Sequence, residues 1–385
     1  MTIPSRLFLN LMQQYKCQPS FLHRGFSKPS LINDQKIQKT KEKNAKGTTK
    51  REKNQDKNMQ KDGKTDIKVC IIGGGVTPLY TAILLKQYRI IKSINLVDTK
   101  DSMSEAMMDT CHAETNPCIN HFRKKDIKQA LKEANIVALM DETDVAAMDS
   151  MTPQAQFKSA ADYVRRMTDQ ILRFCPDALV AVFARPVTAT LAMVSEIFRC
   201  SGWWNPDRIV GSTATHGAQI ERMARVLLNL EDAGLSVPLA GGADVRTIVP
   251  LFSRAIPFNQ FTNAQRKILL QTFRVGDEAT KSLNEGPSLS FGTAAAKLIT
   301  TLGNGLCGFD HVTTCAYVRS NVLPVCRFFT SELQLGPEGI ERNLGLPKIT
   351  PMEILLIEQV IPHINEYIDM AIAAVRTERM RVKTR

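Results

Sequence analysis

Nowhere does the 385-residue chain reach the ~20 consecutive apolar residues that a membrane-spanning helix requires, so no transmembrane span is expected. It also lacks a cysteine set that can pair completely. The nine cysteines, at 17, 70, 111, 118, 175, 200, 307, 315 and 326, are odd in number, and several sit in apolar runs. That pattern argues against a disulfide framework and reads as free thiols in a reducing compartment. The run CHAETNPC gathers Cys111, His112 and Cys118, but it has no fourth ligand and its first spacing is long for structural zinc. No metal is expected.

Excess basic charge is missing from most of the chain, although the net charge is +12. Residues 1–65 hold 15 of the 50 Lys and Arg but 5 of the 38 Asp and Glu, so about +10 of that charge sits there. The remainder is close to neutral, which gives little support to nucleic-acid binding. Acids are absent from residues 1–33, which carry Arg6, Lys16, Arg24 and Lys28 beside an apolar set of Leu7, Phe8, Leu9, Leu11 and Met12. A basic, acid-free, partly amphipathic N-terminus predicts a mitochondrial transit peptide. Residues 34–66 have almost no apolar side chains and are read as a disordered Lys-rich linker. Residues 379–385 are read as a basic tail.

Between these ends the chain is rich in core-forming material, with 43% apolar residues overall. KVCIIGGG is an apolar run feeding a glycine turn. LYTAILLK reads as a helix, SINLVD and NIVALM as strands, SAADYVRRMTDQILRF as an amphipathic helix and ALVAVFA as a further strand. Strands alternating with helices over residues 67–210 predict an α/β, doubly wound parallel sheet. Residues 211–378 mix longer helical patterns with short strands such as TCAYV and predict an α+β lobe. In the first lobe, Gly73 and Gly75 in the turn and Asp98 about 25 residues later fit a dinucleotide-binding unit whose acid accepts ribose hydrogen bonds.

Longer stretches are more specific. FCPDALVAVFARPVTAT, EIFRCSGWWNPDRIVGSTAT, SVPLAGGADVRTIVPL, TCAYVRS and LGPEGIERNLGLPKITPMEILLIEQVIPHI occur in the order and spacing of the malate dehydrogenase family, and the run Lys68–Arg376 resembles its mitochondrial type. The resemblance implies a Rossmann-type first lobe, an α+β second lobe, NAD as cofactor, a 2-hydroxy or 2-oxo acid as substrate, a homodimer and the mitochondrial matrix.

The chain departs from that pattern where the chemistry sits. The family turn GGHAG carries the His that exchanges a proton with the substrate oxygen; here it reads GGADV, with Ala243 in the His position. The family segment VTTLDIVR supplies the Asp that orients that His and an Arg for a substrate carboxylate; here it is STATHGAQ, with His216 and Gln219. The family's mobile loop brings two arginines, whereas Met140–Phe157 has no Lys or Arg and holds Asp141, Glu142, Asp144 and Asp149. The family's Asn-Pro-Val is Arg185-Pro186-Val187. Arg185 is a new cation that either meets a substrate carboxylate or pairs with a nearby acid. His216 and Asp244 suggest a dyad with exchanged positions, but Asp244 lies one residue past the His position and should point elsewhere. The glycine turn is shortened, which implies weak NAD binding.

Two functions follow. One is a structural or regulatory paralogue, paired with itself or with an active relative, that has lost ordinary catalysis. The other is an active NAD-dependent dehydrogenase, for malate or another 2-hydroxy acid, with a rebuilt site.

Overall fold

The computed structural model describes residues 66–100, 104–112, 117–142, 151–230, 234–275 and 288–383. The expected transit peptide, nearly all of the expected linker, and Asp144 and Asp149 lie outside the described residues.

The first half is built from strands that are apolar because both of their faces are covered. They are β1 (Ile67–Gly73), β2 (Ile91–Asp98), β4 (Ile136–Leu139), β5 (Leu179–Val182) and β6 (Ile209–Ser212). β3 (Cys118–Arg123) is the edge strand, and its residues alternate between covered and exposed. The spatial order β3-β2-β1-β4-β5-β6 is parallel throughout. The strand order reverses between β1 and β4, and ligands of such sheets bind in the crevice beyond the strand ends at that point.

Helices α1 (Val76–Leu85), α2 (Ser104–His112), α3 (Ile127–Leu131), α4 (Pro153–Phe174) and α5 (Val187–Ser201) connect or flank these strands. CHAETNPC straddles the end of α2 and the start of β3, and residues 113–116 within it lie outside the described residues.

The sheet continues without a break into the second half. β6 pairs antiparallel with β9 (Thr313–Arg319) through Gly211 with Tyr317 and Ser212 with Ala316. Beyond β9 come β10 (Phe328–Gly336), β7 (Leu239–Gly241) and β8 (Ile248–Pro250), and β11 (Gly339–Gly345) joins β10. Helices α6 (Ala214–Leu227), α7 (Asn263–Val275), α8 (Ser288–Leu306) and α9 (Pro351–Lys383) complete this half. No described helix is long and apolar enough to cross a membrane.

Two helices matter for the site. α8 lies against α1 at Gly292, where an added Cβ would come within 2.9 Å of the Tyr80 ring. It also supplies Ala295, Ala296, Leu298, Ile299 and Leu302 to the core of the first half. Glu353, in the first turn of α9, caps the start of that helix. Glu353 accepts from the Thr350 amide at 2.9 Å and its hydroxyl at 2.7 Å, and from the Ser253 amide at 2.9 Å and its hydroxyl at 2.6 Å. Burial pushes the Glu353 carboxyl up, but these four bonds together hold it below the usual range.

Candidate functional site

A pocket opens at the carboxyl ends of β1, β4, β5 and β6. It is lined from those ends by Gly74, Met140, Asp141, Phe183, Arg185 and Ser212. α6 and the GGAD turn add Thr215, His216 and Ala243, and α8 adds Ser288, Phe291 and Ala295. The second half of the chain therefore closes a crevice that the first half forms. The interior leaves about 40 Å³ for the centres of water-sized molecules. One water needs ~10–15 Å³ on that measure, so there is room for a few solvent molecules in this state.

Ala243 is buried at 1% exposure and lines the pocket, where its methyl group can neither give nor take a proton. The turn that carries it is nevertheless tightly built. Gly241 has φ +90°, and a Cβ there would fall 2.3 Å from the Thr247 carbonyl oxygen. At Gly242 a Cβ would fall 2.2 Å from Thr247 Oγ1. The Gly242 amide donates to the Thr247 carbonyl at 2.9 Å, and the Ala243 amide donates to Thr188 Oγ1 at 3.1 Å.

Asp244 explains what the turn supports. Its Oδ1 accepts the Val187 amide at 3.0 Å and its Oδ2 accepts the Thr188 amide at 2.9 Å. These are first-turn donors of α5, whose N-cap residue is Pro186 and makes no side-chain cap of its own. A carboxylate there satisfies exposed N–H groups and complements the helix dipole. Asp244 is thus aimed at a helix end. His216 places Nδ1 3.5 Å from Gln219 Oε1 and meets the Phe273 ring edge-on at 5.7 Å.

Arg185 is the one Lys or Arg among the described residues that line the pocket. Its Nε donates to Asp141 Oδ2 at 2.8 Å, and its backbone amide donates to Asp141 Oδ1 at 2.7 Å. The guanidinium lies 5.0 Å from the Phe291 ring centre. Both side chains are largely buried, at 9% and 12% exposure. Arg185 thus pairs with a nearby acid. Sequence reading counted Asp141 only as one acid of a loop.

The glycine turn lies beside this pair. Register places Gly73 opposite Asp98, which is fully buried and accepts the Lys100 amide at 3.1 Å. Gly75 is the N-cap of α1 with φ 81°, and α1 has no side-chain cap and no acid in its first turn. The Gly74 amide donates to the Asp141 carbonyl at 3.0 Å, and a Cβ at Gly74 would lie 2.5 Å from the Glu142 carbonyl oxygen.

Burial favours the neutral form of several thiols and phenols. Burial pushes the Cys175 and Cys326 thiols up to about 12 and that of Cys315 to about 11. Burial also raises Tyr317 and Tyr367, with the Asp244 charge adding to both.

Comparison with known proteins places this architecture. Residues 67–211 match the model for the lactate/malate dehydrogenase NAD-binding domain. Mitochondrial malate dehydrogenases of Sus scrofa and Mus musculus are each 30% identical over 305 residues, covering 77% of this chain and 88% of theirs. Malate dehydrogenase of Cryptosporidium parvum superposes with TM-score 0.65 at 15% identity, over 79% of this chain and 98% of its own. That of Aeropyrum pernix superposes with TM-score 0.64 at 13% identity, over 78% and 97%. The last two establish shared fold, and the first three establish descent: this chain belongs to the lactate/malate dehydrogenase family.

Proposed function

We propose that this malate dehydrogenase-like chain does not carry out ordinary malate/oxaloacetate interconversion and acts as a structural or regulatory paralogue, paired with itself or with an active relative. The observation that carries the reading is Ala243 at the pocket wall. Hydride transfer to a carbonyl needs a proton donor at the oxygen, and removing a general acid-base costs ~10²–10⁴-fold. The single cation of the described lining, Arg185, already faces a carboxylate, so a dianionic substrate meets Asp141 together with it. Each charge-assisted contact to a carboxylate contributes ~1.5–3 kcal/mol, and several are absent here. The purified chain, freed of residues 1–65, should oxidise NADH with oxaloacetate at least ~10³-fold more slowly than an active relative assayed beside it. Comparable turnover would refute the proposal.

The second reading, an active dehydrogenase with a rebuilt site, is favoured by Asp98, which stands beside Gly73 at the end of β2. Oxidation of a less acidic 2-hydroxy acid in the same assay would establish it.

We infer a mitochondrial location from the basic, acid-free N-terminus. A fluorescent fusion of residues 1–33 should enter mitochondria, and cytosolic retention would contradict the inference. Light scattering of the purified protein at micromolar concentration should report a dimer, and a monomer would contradict self-pairing.

A further inference from the structure

We propose that Asp141 is an internal clamp, anchored by Arg185, that holds the backbone after β4 against the glycine turn of the dinucleotide crevice, over a latent site. NAD is the cofactor of the family, and the residues present do not fit its diphosphate in this state. A diphosphate at a Rossmann-type turn is held by backbone N–H groups at the glycine turn and the first helix N-terminus. Here the Gly74 amide is bound to the Asp141 carbonyl at 3.0 Å. The next residue's carbonyl, that of Glu142, lies so close that a single Cβ on Gly74 would collide with it at 2.5 Å. The backbone after β4 therefore rests on the turn.

Three contacts keep it there. The Asp141 carboxylate takes both the amide and the Nε of Arg185, at 2.7 and 2.8 Å. Arg185 in turn stacks on Phe291 of α8 at 5.0 Å. The clamp thus ties the ends of β4 and β5 to the second half of the chain.

The crevice beneath keeps features of an anion and ribose site. The N-terminus of α1 carries no side-chain cap and no acid, so its dipole is uncompensated by its own residues. Asp98 stands at the end of β2 in register with Gly73. The shortened turn alone predicts a loss of binding that no change elsewhere repairs. The clamp predicts a loss that is reversible by substitution at residue 141. This inference concerns cofactor uptake and stands apart from the loss of proton transfer at Ala243.

The test measures NADH binding by calorimetry and by nucleotide fluorescence, on wild type and three variants. Asp141→Asn removes the charge and keeps the shape. Asp141→Ala combined with Arg185→Asn removes both ends of the pair, so that no buried charge is left alone. Thermal unfolding confirms that each variant is folded. Wild type should fail to saturate at ~1 mM NADH, and the double variant should bind at least ~10-fold more tightly, equivalent to ~1.4 kcal/mol. ADP-ribose should show the same gain, because the clamp lies at the diphosphate. Glu353→Gln, which loosens the start of α9 away from the crevice, should show none. Micromolar binding by wild type overturns the proposal, as does a folded double variant without gain or an equal gain in Glu353→Gln. Oxaloacetate turnover by wild type instead overturns the reading of Ala243, so the two failures are distinguishable.

Discussion

Ala243→His alone should return no measurable malate dehydrogenase turnover. The new imidazole would enter a pocket that His216 also lines, at the position where the family pattern has the orienting Asp. Its tautomer would then be unset, because the orienting carboxylate of the family pattern is His216 here. His216 itself is held near Gln219 and against Phe273. A dicarboxylate would still meet the Asp141–Arg185 pair, in a pocket whose described lining has no other Lys or Arg. Catalytic groups that act as a unit are strongly non-additive, so one repaired member gives back little. Recovery should require Ala243→His, His216→Asp and Gln219→Arg together, with arginines introduced between Asp141 and Gln154 and the clamp removed. A single Ala243→His variant that turns over at ~1 s⁻¹ or faster, inside the ordinary enzyme range, would show that the remaining residues bind substrate in another way.

The second large effect concerns stability. Asp244→Ala removes the acceptor for two buried first-turn amides of α5, those of Val187 and Thr188. A lost cap costs up to ~2 kcal/mol, and a buried donor left without a partner adds ~1–3 kcal/mol. A total of about 2–4 kcal/mol should lower the melting temperature by roughly 2–6 °C, at ~1.2–1.5 °C per kcal/mol for a chain of this size. Asp244→Asn, which keeps one carbonyl acceptor, should lose roughly half as much. A carboxylate serving His216 in a dyad would behave oppositely, with activity lost and the melting curve unmoved. A shift below ~1 °C for Asp244→Ala would show that the helix end is held by something else.

The contrast between these two neighbours shows which parts of the molecule are legible in its sequence. β4 and β5 are continuous apolar runs and β1 nearly so, because these strands are buried on both faces, whereas β2 is apolar mainly towards its end. CINHFR is not such a run, because β3 is an edge strand with exposed Cys118 and Asn120, and its polar residues break the pattern. α2 is not legible for a similar reason, having little apolar bias along SEAMMDTCH. In the site, the missing His at Ala243 and the missing Arg at Gln219 are visible by position alone. The meeting of Asp141 with Arg185 is not, since 44 residues separate them and only the juxtaposition of β4 and β5 brings them together. The role of Asp244 lies between. That it should point away from the pocket follows from its offset by one residue, but its target, the N-terminus of α5, requires the fold.

The seating of α8 on the first half has a consequence for how the chain is made. Leu298, Ile299 and Leu302 belong to the same buried cluster as Ile71, Leu96 and Ile136. A nascent chain that has released residues 67–211 has all six of its parallel strands but lacks the helix that covers one side of them. That helix emerges roughly 100 residues later, a wait of about 5–20 s at ~5–20 residues per second. During this interval the apolar face around Ile71 and Ile136 is open to water and to other chains. The half that looks self-contained on the finished sheet is, on the ribosome, a client for whatever shields sticky surfaces until Leu306 has cleared the exit.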